Sequence, residues 1–309
     1  MNKILEEKIE SLVSCVSFTK LKKAAEELSS AYRLQTGGIK SLKFMAHEEH
    51  KYAYLALRMP ATYAAIQEVL KQIHEPISSL LDVGSGPGTA YLAACNQFSE
   101  LKEVLLIEKD PQMIKLGQEL LMKALYQHQA LEAYRAIKSY DLVIAAYALS
   151  ELPDENLSNV IQELWKSTGK YLCLIESGTP YGFKTILQVR KQLIELKANL
   201  VAPCTHEEAC PMEKGHDWCH FSVRFERTKL QKRVKEATLG YEDEKYSYII
   251  ASKNPVPRPL NRIVKTPVKR SGFISFTVSN ANGLENKIFS KKDREIYLQA
   301  KKLEWGDTF

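Results

Sequence analysis

The sequence lacks any long apolar run. Among its 309 residues no hydrophobic stretch approaches the roughly 20 residues of a bilayer span, so no helical membrane segment is expected. The opening Met1-Asn2-Lys3-Ile4-Leu5-Glu6-Glu7 has no apolar core of the secretory kind, and a cytoplasmic protein is expected. Cysteine is sparse: six thiols in such a chain read as ligands, reactive groups or core residues rather than as disulfides. Charge of one sign does not dominate either, since 43 Lys and Arg against 37 Asp and Glu leave a net charge of +6. What remains is an ordinary globular composition, 45% hydrophobic and 26% charged, long enough for one large or two modest domains.

One segment stands out against that background. Leu80-Leu81-Asp82-Val83-Gly84-Ser85-Gly86-Pro87-Gly88-Thr89 follows an apolar strand (Ser79 to Val83) and opens a helix from about Thr89 to Phe98. The next strand, Glu103 to Ile107, delivers Glu108 at its tip, twenty residues after Gly88. A glycine turn feeding a helix, with an acid on the neighbouring strand end, is the geometry of a nucleotide-type cofactor site. The carboxylate suits a ribose diol because it accepts two hydrogen bonds. Asp82 inside the strand end and Pro87 within the loop resemble motif I of class I S-adenosylmethionine-dependent methyltransferases; NAD is the alternative. The resemblance implies that the loop lies against the amino-acid end of the cofactor and that Glu108 takes the ribose hydroxyls. The candidate cofactor residues are thus Asp82, Gly84, Ser85, Gly86, Gly88 and Glu108.

Around this motif the chain divides into four parts. Residues 1 to about 75 read as helices, with Leu5, Ile9, Leu12, Val13 and Val16 and then Leu21, Ala24, Ala25 and Leu28 at helical spacing, and a break at Thr36-Gly37-Gly38. Pro60 sits in the first turn of a further helix ending near Ile73, and Arg58 and Tyr63 are candidates to reach cofactor or substrate. Residues 76–200 alternate strands and helices, the pattern of a mostly parallel sheet. Asp110 caps a helix from Pro111 to about Tyr126; Gln127 to Ser139 shows no clear third strand; Asp141 to Ala146 is a buried strand; Tyr147 to Pro153 lies at its ligand-binding tip. A helix (Asp154 to Ser167), a strand (Tyr171 to Glu176) and a helix (Tyr181 to Lys197) complete the unit. Cys15, Cys95 and Cys173 read as core residues.

Residues 201–222 form a cysteine-rich segment. Cys204, Cys210 and Cys219, with His206, His216 and His220, occupy seventeen residues, which points to metal ligation by soft donors. The spacing Cys-x5-Cys-x8-Cys fits neither a zinc ribbon nor a ferredoxin run, so spacing does not choose the metal, and three buried thiols without metal is the bland alternative. A nucleophilic Cys204 after Pro203, as in cytosine-C5 methyltransferases, would sit on the wrong strand. Residues 223–309 are basic: Arg258, Arg262, Lys265, Lys269, Arg270, Lys287, Lys291, Lys292, Arg294, Lys301 and Lys302 surround an expected hairpin from Gly272 to Phe289 that turns near Asn280-Ala281-Asn282-Gly283. Such a cluster suits a phosphate backbone, and a merely solvated surface is its alternative.

Taken together, Leu57 to Ala64, the loop Asp82 to Thr89, Tyr147 to Leu152, Glu176 to Pro180, the cysteine block through Ser222 and Trp305-Gly306-Asp307 resemble the methyltransferase-like proteins of mitochondrial small-ribosomal-subunit assembly and their bacterial relatives. The resemblance implies a class I methyltransferase fold, a Rossmann-like, mostly parallel α/β sheet, with an N-terminal helical region, a cysteine-rich metal-binding insertion and a β-rich C-terminal extension. It also implies binding to the small ribosomal subunit or its RNA, no DNA and no membrane partner, and a 4Fe-4S iron-sulfur cluster on four cysteines. Cys204, Cys210 and Cys219 match three of these; Ser279 stands where the fourth is expected, which leaves a serine- or water-completed cluster, zinc completed by histidine, or an empty site open. No catalytic residue is assigned. The fourth-strand tip reads Ala145-Ala146-Tyr147-Ala148 instead of the Asn/Asp-Pro-Pro-aromatic tetrad of base-amine methyltransferases. Tyr147 stacking on a base and Glu151 as a general base stand against Tyr147 packing on the cofactor and Glu151 capping the next helix. The leading expectation is an S-adenosylmethionine-binding methyltransferase-like protein of ribosomal RNA; the alternatives are a non-catalytic RNA-binding assembly factor and a small-molecule methyltransferase.

Overall fold

The structure is a computed structural model; the residues described are 1, 3–33, 47–121, 124–213, 215 and 217–309, with 31–33 as backbone only. The break expected at Thr36-Gly37-Gly38 lies outside them, as does His216.

The chain begins with α1 (Lys3–Val13) and α2 (Phe18–Arg33), which bury Leu5, Ile9, Val13, Leu21, Ala24, Ala25 and Leu28, so the expected periodicity holds in two pieces. Next come α3 (Glu48–Ala53), a π-helical turn (Tyr54–Arg58) and α4 (Met59–Leu70). Pro60 explains the widened turn: it has no N–H to continue the ladder and its ring crowds the carbonyl one turn back. The new helix expected at Pro60 is therefore a continuation of the preceding one, and the π turn presents Arg58.

The main sheet has the order β3-β2-β1-β4-β5-β8-β6, with β7 also pairing β8. Its strands are β1 (Ser79–Val83), β2 (Glu103–Glu108), β3 (Tyr126–His128), β4 (Tyr140–Ala146), β5 (Thr168–Ser177), β6 (Asn199–Ala202), β7 (Phe221–Glu226) and β8 (Tyr241–Ser252). The first five are parallel, and β8 runs antiparallel to β5, β6 and β7. Between them lie α5 (Thr89–Gln97), α6 (Pro111–Leu121), α7 (Asp154–Lys166), α8 (Pro180–Glu195) and α9 (Lys229–Lys235). Alternation along the strands feeds two cores. Leu81, Val83, Val143 and Leu172 face α7 and α8, whereas Leu80, Leu142, Ile144 and Cys173 face α4 and α5. Asp141 fixes the register of β1 on β4 by accepting from Ser78 N at 2.8 Å, while its own N–H donates to Ser79 Oγ at 2.9 Å.

Several expectations need correction. The third strand does exist, but three half-polar residues carry no periodic signal, and Tyr126 opens it instead of ending α6. The sheet does not stop at residue 200: β6 and β7 occupy successive stretches of one edge of β8, and the cysteine segment is the excursion between them. Cys173 is buried as expected, but Cys15, in the turn after α1, and Cys95 are exposed.

The C-terminal part forms a second sheet of β9 (Arg262–Ile263), β10 (Val268–Lys269), β11 (Phe273–Asn280) and β12 (Gly283–Ser290), closed by α10 (Arg294–Ala300). The expected hairpin is present: Asn280 pairs Gly283, whose φ of 109° suits a glycine turn.

Candidate functional site

The glycine loop sits where the strand order reverses between β1 and β4, the crevice that open parallel sheets offer to ligands. Gly84, Gly86 and Gly88 adopt φ of 67°, 53° and 83°, left-handed values that cost other residues. At Gly84 a Cβ would also meet the Ala148 Cβ at 2.5 Å, so the loop and the β4 tip can approach only through glycine. Gly84 N and Ser85 N donate to Ile107 O at 2.9 and 3.0 Å, pinning the loop to β2.

Glu108, 8% exposed, accepts three backbone N–H groups: Gly86 N (2.8 Å) on one oxygen, Lys109 N (2.9 Å) and Asp110 N (2.8 Å) on the other. A carboxylate has about four acceptor positions, so the oxygen facing Gly86 keeps one for an incoming hydroxyl. Asp110 caps α6 through Gln112 N and Met113 N and is held by the buried Lys51 at 2.7 Å. Asp82 is 1% exposed and accepts from Tyr91 N at 3.2 Å; burial, with Glu108 nearby, pushes its carboxyl up to about 7.

These elements frame a cavity of about 160 Å³ lined by Gly84, Gly86 and Glu108, by Arg58 and Tyr54, and by Ala146 to Ala148 and Glu176. Asp82, Ser85 and Gly88 are not among the residues that line it. The buried hydroxyl of Ser85 has no hydrogen-bond partner among the described residues. Left-handed glycines and a Glu108 oxygen with an acceptor position left open on one cavity are what a polar ligand would complete, so the residues present fit a cofactor here.

Glu176 is a site residue that the sequence reading quoted but gave no role. It lies at the end of β5, 2% exposed, and accepts from Leu149 N (2.8 Å) and Ser150 N (3.2 Å). Burial pushes it up to about 7. Tyr147 has φ of 58° and its hydroxyl donates to Glu244 at 3.4 Å, the same carboxylate that Arg58 grips with both terminal nitrogens at 3.1 and 2.8 Å. Arg58 thus reaches the cavity, but Tyr63 packs in the core. Glu151 does not cap α7, whose capping position is Pro153; it lines the cavity and pairs with Lys109 at 3.4 Å.

The three cysteines meet around a smaller cavity of about 30 Å³, together with His206, Arg190 and Ser279. Arg190 Nε donates to Cys204 Sγ at 3.3 Å, and its Nη2 donates to His206 O and Glu208 O at 3.0 and 2.6 Å. Thr205 Oγ1 donates to Ser279 O at 3.4 Å, docking the segment on the hairpin. Burial, then the neighbouring Cys204 and Cys210, push the Cys219 thiol up. His220 is turned away, stacked on Trp218 at 5.1 Å. The donor set fits a soft metal in kind, and its members line one cavity. Among the described residues, however, no three His, Cys, Asp or Glu side chains are gathered closely enough to hold an ion, so the metal-binding character expected of the segment is not evident in its geometry.

In the basic region Arg262 is not a surface group. It is 3% exposed and donates to Gly306 O at 2.8 Å and Gln72 Oε1 at 3.1 Å. Arg258, Lys265 and Lys269 are paired with Glu207, Asp217 and Glu304.

Sheet order and glycine cleft define a Rossmann-like, mostly parallel α/β fold. Within that class the chain belongs to the Rsm22 family, described as mitochondrial small ribosomal subunit Rsm22, whose model matches residues 48–309. It is 25% identical over 287 residues to the human mitochondrial ribosome assembly protein METTL17, covering 82% of this chain and 61% of that one. To the Rsm22-cox11 tandem protein 2, mitochondrial, of Schizosaccharomyces pombe it is 26% identical, covering 83% and 42%. This chain thus spans less than two thirds of either relative. Among solved structures, a TehB-like SAM-dependent methyltransferase from Corynebacterium glutamicum aligns at a TM-score of 0.44 and 14% identity over 67% of this chain and all of that one. The expected cytoplasmic location is corrected by these matches: family and relatives are designated mitochondrial, which points to mitochondria instead. Among the described residues no helix is long and apolar enough to cross a membrane.

Proposed function

We propose that this chain binds S-adenosylmethionine and acts on, or binds, the RNA of the small ribosomal subunit during assembly. The observation that carries the reading is the left-handed glycine loop and the Glu108 carboxylate, one acceptor position still open, meeting on a single cavity in a chain of a small-subunit family. When bound, the cofactor supplies an electrophilic methyl on sulfur. The protein's own part is positioning: Glu108 accepts from the ribose, the glycine loop follows the amino-acid end, and Tyr147 and Glu176 bound the side from which an acceptor would approach. A non-catalytic assembly factor is the second reading. It is favoured by the β4 tip, where Tyr147 is tied to Glu244 and no amide side chain is offered to a base amine.

Cys204, Cys210 and Cys219 would hold a 4Fe-4S cluster, with Ser279 at the fourth position; zinc is the alternative. Such a group would cross-link the cysteine segment to the small sheet.

The test is co-sedimentation of the full chain with purified small-subunit precursors, with and without S-adenosylmethionine. The expected result is comigration with the precursors that high salt weakens. Failure to comigrate at any salt concentration would overturn the ribosomal reading.

A further inference from the structure

The small sheet has two unlike faces. Ile274, Phe276 and Val278 point inward and pack with Ile263 and Ala300. On the other face, Val268, Ser275 and Ile288 stand side by side in register, and Phe273 lies one pleat along. Val268, Phe273 and Ile288 are 45%, 38% and 67% exposed, an apolar strip left uncovered among the described residues. At the same end Arg270 N donates to Phe273 O and Lys291 N to Gly272 O, which brings Arg270, Lys291 and Lys292 to the rim of that strip.

The cations here differ from the rest of the basic region. Arg262 is buried, and Lys265, Lys269 and Lys287 each face a carboxylate. The side chains of Arg270, Lys291 and Lys292 make no ion pair or hydrogen bond among the described residues, Asp293 and Glu295 at the start of α10 included. An exposed ring on a sheet, rimmed by unpaired cations, complements a chain that carries phosphates and unpaired planar bases.

We infer that this outer face docks single-stranded RNA, one unpaired base stacking on Phe273 while Arg270, Lys291 and Lys292 meet the flanking phosphates. The inference rests on the ribosomal-RNA reading and deepens it. A duplex hides its base faces and could use only the cations, so single strands are preferred. A protein strand added to the apolar face would leave the three cations without function.

The test measures fluorescence anisotropy of a short labelled oligouridine, and of a blunt RNA duplex, with the full chain. Oligouridine binds more tightly than duplex. Phe273→Ala weakens oligouridine about tenfold, and Phe273→Tyr restores it. Arg270→Gln and Lys292→Gln each lower the slope of log affinity against log salt by about 0.7. Unchanged affinity and slope in Phe273→Ala, Arg270→Gln and Lys292→Gln, with wild-type melting, would overturn the proposal; so would a preference for duplex, or binding of an extended peptide without RNA. Should Phe273→Ala fail to fold, the two surface cation variants decide. If wild type binds small subunits and these variants bind equally well, this face is wrong and the ribosomal reading stands; if wild type binds none, the ribosomal reading itself falls.

Discussion

The glycine cleft and the cysteine cavity are built in opposite ways. The cleft is made of backbone: three glycines in left-handed conformation, three N–H groups on Glu108 and two on Glu176. Each of these partners is fixed by local geometry or by sheet register, so the cleft is preformed without its ligand. The cysteine cavity is made of side chains from distant segments: Arg190 of α8, the 203–219 excursion, Val264, and Ser279 and Leu284 of the hairpin. Only tertiary docking brings them together, through contacts as thin as Thr205 on Ser279 at 3.4 Å. A site of the first kind is set by the backbone; a site of the second kind depends on docking between segments, and on the proposed reading a bound metal would reinforce that docking.

That contrast breaks first at the cysteines. Anaerobically purified protein is expected to contain iron or zinc near one site per chain, and Cys219→Ala is expected to abolish it and cost at least about 3 kcal/mol, roughly 6 °C in Tm. Metal-free wild type with the same melting temperature would show that both sites are preformed alike.

The next effect lies in the glycine loop. Gly84→Ala combines a left-handed residue with the 2.5 Å approach to Ala148 and is expected to destabilise by about 2–4 kcal/mol. Gly86→Ala, with no heavy atom within 4 Å of the new Cβ, costs about 1 kcal/mol. Urea melts of the two variants check the order, and equal costs would mean that the Ala148 contact relaxes.

A smaller effect concerns pH. Asp82 and Glu176 are pushed up to about 7 by burial, above the values of an unfolded chain. As pH rises from about 4 to about 7 the unfolded chain releases protons that the native state keeps, so native stability falls across that window. Glu176→Gln keeps an acceptor for Leu149 N and Ser150 N but removes one ionisation. It is expected to shallow the loss between pH 4 and pH 7 by about 1–2 kcal/mol in urea titrations. An unaltered slope would place the titration elsewhere.

The same contrast governs what the sequence revealed. Residues 80–89 and 108 were legible because the loop, its strand and its acid are close in the chain and each residue type has one geometric job. The hairpin was legible from its Asn-Gly-rich turn. Glu176 went without a role because an acid at a strand end looks solvent-exposed until the β4 tip closes over it. Arg262 was misread because a run of basic residues says nothing of which one turns inward to the Gly306 carbonyl. β8 escaped notice because its first half, Tyr241-Glu242-Asp243-Glu244-Lys245, is charged and only its second half is apolar. Convergence of the cysteines on Ser279 depends on docking two sheets, which no spacing rule contains.

The central claim is that the preformed cleft holds S-adenosylmethionine through Glu108, and calorimetric titration of the cofactor into wild type and Glu108→Ala tests it most directly. Loss of charge-assisted hydrogen bonds worth roughly 1.5–3 kcal/mol each is expected to weaken binding at least about tenfold while leaving the fold intact. Equal affinity in the two proteins, or no binding by the wild type, would contradict the account.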